Sequence, residues 1–148
     1  MMNRKLQFLR RILCVILVFL SLAVLCGCRP EINGTSIPLT EEKKQEINEA
    51  WETQNDTQLN WGTPGGPVYY ATYGDCVVFL TKGQFAAVGR LEIAGQKFIY
   101  PSAFLLWVYR DGGFMYLEDA YKDGYITKSQ IKEMAAYHKS QYESLYTD

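Results

Sequence analysis

One thiol and one imidazole are the first residues to weigh for chemistry. The 148-residue chain holds four cysteines and one histidine. Cys76 and His138 are the pair expected to lie in the folded part, where a thiolate and a base could together make a nucleophile. Their neighbours point elsewhere. Cys76 opens an alternating run to Thr81, and His138 follows Ile131, Met134 and Ala135 at helical spacing. Those are the positions of a small buried residue and of a helix-to-sheet contact. No nucleophile motif flanks either one, and the chain shows no metal-ligand cluster or glycine-rich phosphate loop. The expectation is no catalytic residue, no metal ligand and no cofactor.

The run Asp119-Ala-Tyr-Lys-Asp123-Gly124-Tyr-Ile126-Thr127-Lys-Ser-Gln130 resembles an EF-hand calcium loop, with aspartate at the first and fifth places, glycine at the sixth and isoleucine at the eighth. The match stops at two ligands. Tyr121 at the third place has no carboxylate, and Gln130 at the last cannot supply the bidentate charge of a calcium site. The same residues also spell a helix junction, in which Gly124 ends one helix, Ile126 packs inward and Thr127 caps the next. The junction is the expected role.

Cys28 has a clearer chemical context. Four positive charges within Met1 to Arg11 precede the apolar run Ile12 to Leu25, broken only by Ser21, which is the order of a secretory signal. The stretch from Ile12 to Cys28 would reach about 26 Å as a helix, short of the roughly 30 Å hydrocarbon core. It ends in Leu25-Cys26-Gly27-Cys28, which resembles the bacterial lipobox. That resemblance implies a diacylglyceryl group on the Cys28 thiol, cleavage after Gly27 and acylation of the new amino terminus. Two or more chains are what stable anchoring needs. Residues 1–27 then form the signal peptide, 28–39 the lipidated cysteine and a tether, and 40–148 a single domain. Cys14 and Cys26 would leave with the signal and Cys28 would carry lipid, so Cys76 would have no disulfide partner.

The elements follow from period and punctuation. Thr40 reads as a helix N-cap before Glu41 and Glu42, and Ile47, Ala50 and Trp51 make one narrow stripe that should end before Asn55-Asp56. From Val68 the period becomes two. Val68–Tyr73 and Cys76–Thr81 join at Gly74-Asp75; the alternation from Phe85 to Ile93 turns at Ala94-Gly95 into Lys97–Tyr100; Phe104–Arg110 turns at Asp111-Gly112 into Phe114–Leu117. Parity with an even-length loop places Leu91 beside Phe98 on the buried face and Glu92 beside Lys97 on the wet one. It likewise brings Tyr109 beside Phe114. A short helix around Glu118–Lys122 and a longer one from Thr127, with Thr127 and Gln130 as a capping box and a stripe running on to Tyr142 and Leu145, complete the chain. The expected class is α+β: an antiparallel sheet of about six strands with one N-terminal helix and a C-terminal helical pair.

The 15 basic and 16 acidic residues lose Arg4, Lys5, Arg10 and Arg11 with the signal. That leaves the exported part near −5, a sign that argues against nucleic acid. Eleven Tyr, three Trp and five of the seven Phe remain in it, a load that suits a half-buried sheet or a face for sugars or proteins. Trp51, Tyr69 to Tyr73, Ala94-Gly95, Tyr109 to Gly112 and Leu117 to Thr127 together resemble small domains of exported proteins in gut-type Gram-positive bacteria. The resemblance implies a cell-surface setting and this fold, and it carries no activity. The expected function is that of a lipoprotein on the outer face of the bacterial cytoplasmic membrane, held there by its lipid, whose non-enzymatic domain binds a protein or glycan of the envelope. The alternatives are an envelope hydrolase or thiol enzyme and a subunit of a surface assembly.

Overall fold

The computed structural model describes residues 38–83 and 89–147. The signal, the lipobox with Cys28, most of the tether and the expected strand residues Phe85 to Val88 lie outside them. In chain order come α1 (Glu41–Asn55), β1 (Val68–Tyr73), β2 (Cys76–Lys82), β3 (Gly89–Ile93), β4 (Gln96–Tyr100), β5 (Phe104–Arg110), β6 (Gly113–Tyr116), α2 (Leu117–Lys122) and α3 (Lys128–Gln141), with a 3-10 turn at Glu143–Leu145. The α+β class with six antiparallel strands is as expected. The strands divide into a four-stranded sheet, β1-β2-β5-β6, and a separate hairpin, β3-β4.

The division has a packing reason. β2 sits inside the sheet, and its first five residues, Cys76 to Leu80, are all buried. A continuous apolar run of that kind fits a strand covered on both faces. Cys76, Val78 and Leu80 face a core closed by Ile93, Phe98 and Tyr100 of the hairpin and by Ile131 and Met134 of α3. Val77 and Phe79 face a second core closed by Ile47 and Trp51 of α1 and by Leu59 of the loop after it. The hairpin thus lies over one face of the sheet as a cover, and α1 covers the other.

One irregularity in β1 decides what the first core contains. Tyr69 pairs with Phe79 and Ala71 with Val78, so the register slips at Tyr70. A bulge sends two consecutive side chains to the same side, and Tyr70 and Ala71 are both buried in the first core.

The turns follow their residues. Ala94 and Gly95 have φ of 53° and 77°, and Asp111 and Gly112 have 50° and 77°; two successive left-handed residues are what a tight two-residue hairpin needs. The parity argument holds: Leu91 pairs with Phe98, Glu92 with Lys97 and Tyr109 with Phe114. Phe98 is wholly buried and Glu92 and Lys97 are exposed, while Leu91 is only half-buried because it borders an open cleft. Thr40 caps α1 by accepting from the Lys43 N–H, and the helix runs to Asn55 before Asp56 turns left-handed.

The last helix is shorter than its stripe suggests. It stops at Gln141, where the Tyr142 N–H is shared between the carbonyls of His138 and Lys139, and the chain tightens into the 3-10 turn that carries Leu145. This turn aims Tyr146 at the hairpin. The Tyr146 hydroxyl accepts from the Ile99 N–H at 2.9 Å and donates to the Lys97 carbonyl at 3.1 Å, closing the outer edge of β4.

Phe98→Ala should cost about 3–5 kcal/mol through lost transfer energy and a cavity. Glu92→Ala, on the wet face, should leave the urea midpoint nearly unchanged. Denaturant melts of the two variants test the register, and a larger effect from Glu92→Ala would invert the two faces.

Candidate binding cleft and the buried histidine

Cys76 and His138 belong to the same core, but each is engaged with other groups. Cys76 is buried, its thiol lies 3.8 Å from Asp75 Oδ1, and burial, with the Asp75 charge next, pushes its pKa up. A buried thiol that resists ionising is a poor nucleophile. The His138 side chain has no exposure. Its Nε2 donates to the Ile99 carbonyl at 2.7 Å, and its Nδ1 accepts from the Tyr70 hydroxyl. With both nitrogens occupied, this imidazole ties α3 to β4 and β1. Burial lowers its pKa, against the smaller opposing effect of the Ile99 carbonyl. It is the helix-to-sheet contact expected from its place on the stripe.

The Asp119–Gln130 run is a helix junction. Lys122 Nζ holds Glu118 at 3.0 Å and reaches Asp119 at 3.9 Å. Gly124 is left-handed at φ 79°, and Ile126 is buried. Thr127 and Gln130 form the reciprocal capping box: the Thr127 N–H donates to Gln130 Oε1 at 2.8 Å and the Gln130 N–H to Thr127 Oγ1 at 3.3 Å. Among the described residues no group of three or more His, Cys, Asp or Glu could hold a metal ion.

The aromatic residues separate by layer. Trp107 is half-buried; its ring lies 4.5 Å from that of Tyr116 and 5.2 Å from that of Trp51, and its Nε1 donates to Thr81 Oγ1 at 3.0 Å. Trp61 packs on Phe79 at 5.5 Å. Trp61 and Trp107 therefore both serve the second core. Cover on this side of β5 ends at Trp107. Beyond it Leu105 and Tyr116 are 42% and 47% exposed.

Those two residues stand at the mouth of a cleft of about 480 Å³. β6 pairs with β5 only from Trp107 to Arg110 before turning into α2, which leaves the edge at Phe104–Leu106 without a partner strand on that side among the described residues. The cleft opens there. Leu91, Phe104, Leu106 and Leu117 supply its apolar walls, and Arg90, Glu118 and Asp119 its charged rim. Gly89 sets one wall, because a Cβ there would overlap the Phe104 ring and press on the Ser102 carbonyl. A mostly apolar hollow of this size with a few charged groups at its rim can take a small ligand or an anchoring side chain. It was missed from sequence, since it arises where β6 stops short. The one available signal was the unbroken apolar run Phe104 to Tyr109, which implies cover on both faces that α1 gives only in part.

Calorimetric titration of the chain with calcium to millimolar concentration should give no saturable heat; saturable binding that disappears in Asp123→Asn would overturn the junction reading. Compared with known proteins, the chain significantly matches no family model, no curated protein and no solved structure.

Proposed function

We propose that this chain is an exported lipoprotein, anchored through Cys28 to the outer face of the bacterial cytoplasmic membrane, whose α+β domain is a non-enzymatic binding module for a protein or glycan of the envelope. The observation that carries the binding reading is the cleft at the free edge of β5 with Leu105 and Tyr116 exposed at its mouth. Tyrosine joins a large apolar face to a polar tip, which suits contact with a sugar ring or a protein surface equally. Neither Cys76 nor His138 lines that cleft, and each is engaged elsewhere. The anchor reading rests on the lipobox resemblance. No helix among the described residues is long and apolar enough to cross a membrane.

Two experiments test the two halves separately. Cys28→Ala should abolish metabolic labelling with a fatty acid and leave the precursor uncleaved; labelling that survives would end the lipobox reading. For binding, the domain from Arg29 onward should retain an envelope component that the double variant Leu105→Ser, Tyr116→Ala loses at least tenfold, while Lys132→Ala on exposed α3 retains it. Equal retention by all three would remove the cleft from the binding surface.

A further inference from the structure

We propose that His138 is an acid-sensitive latch whose protonation releases α3 from β1 and β4, opening that layer of the domain in mildly acidic surroundings. The hydrogen-bond geometry sets the condition. A carbonyl only accepts, so the bond to Ile99 fixes a proton on Nε2 and leaves Nδ1 as the acceptor for the Tyr70 hydroxyl. An added proton must go to Nδ1. There it meets the Tyr70 hydroxyl, whose oxygen can accept from Nδ1–H only if its own proton rotates off the ring nitrogen, which leaves that buried O–H with no acceptor among the described residues.

The resulting imidazolium would be shut off from solvent, and among the described residues no carboxylate reaches its ring. Tyr70 from β1, Phe98 and Tyr100 from the hairpin, Phe104 from β5 and Tyr142 and Tyr146 after α3 place their rings within 4.8–6.3 Å of the imidazole. Their faces attract a cation, but they do not replace its hydration. The titratable groups that face it are phenols, and burial pushes Tyr70 and Tyr142 upward, the latter to about 12. The charges on the same elements are directed elsewhere: Glu133 takes the Tyr73 hydroxyl at 3.2 Å, Lys139 lies over the Tyr146 ring, and Lys97 is exposed.

The sign of the effect is fixed. Burial holds the imidazole below its ordinary 6.5, so the unfolded chain binds the proton first. The stability His138 contributes is whole above about pH 6.5 and is lost as pH falls toward the lower folded value. The two carboxylates held below their ordinary values, Glu46 by Lys43 and then Tyr109, and Asp75 by Arg110, lose their contributions only below 4.5 and 3.8. The chain has one histidine, so the window from about pH 6.5 to 5 is its own.

Hydrogen–deuterium exchange of the full-length chain in non-ionic detergent, corrected for intrinsic rates, reads the latch at pH 7.5 and 5.2. Protection of peptides covering β4 and residues 128–146 should fall about tenfold or more, while α1 and β6 keep theirs. His138→Gln can donate to Ile99 and accept from Tyr70 without taking a proton, and it should keep its protection at both pH values. An equal fall in His138→Gln, no fall in the unaltered chain, or an equal fall in α1 overturns the proposal. If His138→Gln does not fold, the imidazole resonances of the unaltered chain decide: a midpoint below 6.5 in step with loss of α3 signals supports the latch, and one at or above 6.5 with α3 intact refutes it.

Discussion

The bridge made by one imidazole, from a strand carbonyl on one side to a tyrosine hydroxyl on the other, is the contact on which the first core depends. It requires three elements to arrive in fixed relation. α3 must present its fourth stripe position inward, β1 must bulge so that Tyr70 points to the same side as Ala71, and β4 must turn its outer edge toward the helix. A buried polar group left without partners would cost about 1–3 kcal/mol; here both nitrogens are satisfied, so the site specifies one arrangement of the three. Tyr146 extends the arrangement by occupying the next backbone groups along β4. A strand edge that could pair with another chain is instead sealed by two side chains of the same protein.

β2 sets the limits on everything else. Because both its faces are covered, the sheet cannot slide by one residue without exchanging the contents of two cores. The hairpin and α3 are matched to one face and α1 to the other. The cleft lies where this matching stops: β6 ends at Tyr116, α2 begins, and no described element follows the edge of β5 past Trp107. A fold otherwise devoted to closing both faces leaves Leu105 and Tyr116 at the surface, which is why that place bears the binding reading.

Much of this arrangement is legible in the sequence, and for local reasons. Ala94-Gly95 and Asp111-Gly112 dictate their turns through backbone conformation alone, and the registers of both hairpins follow by parity. Thr40 and the Thr127–Gln130 pair mark helix starts by chemistry that needs no distant partner. What stays hidden depends on tertiary contact. Alternation from Val68 places Tyr70 and Ala71 on opposite faces, and only the bulge puts both inside. The stripe through Tyr142 and Leu145 keeps helical spacing although the helix has ended, because the pull of Tyr146 toward β4 is not written in residues 128–145. The same holds for the cleft, whose residues come from three separate segments and share no period.

The segregation of the aromatic residues has an optical consequence. Trp51, Trp61 and Trp107 all belong to the α1 side of the sheet, whereas the layer around His138 contains tyrosines and phenylalanines but no tryptophan. Indole emission from this protein therefore reports on one core alone. Loosening of α3 would leave that signal in place and would appear first in the tyrosine band of the near-ultraviolet circular dichroism, so the two faces of a single sheet carry separate spectroscopic reporters without any label being added.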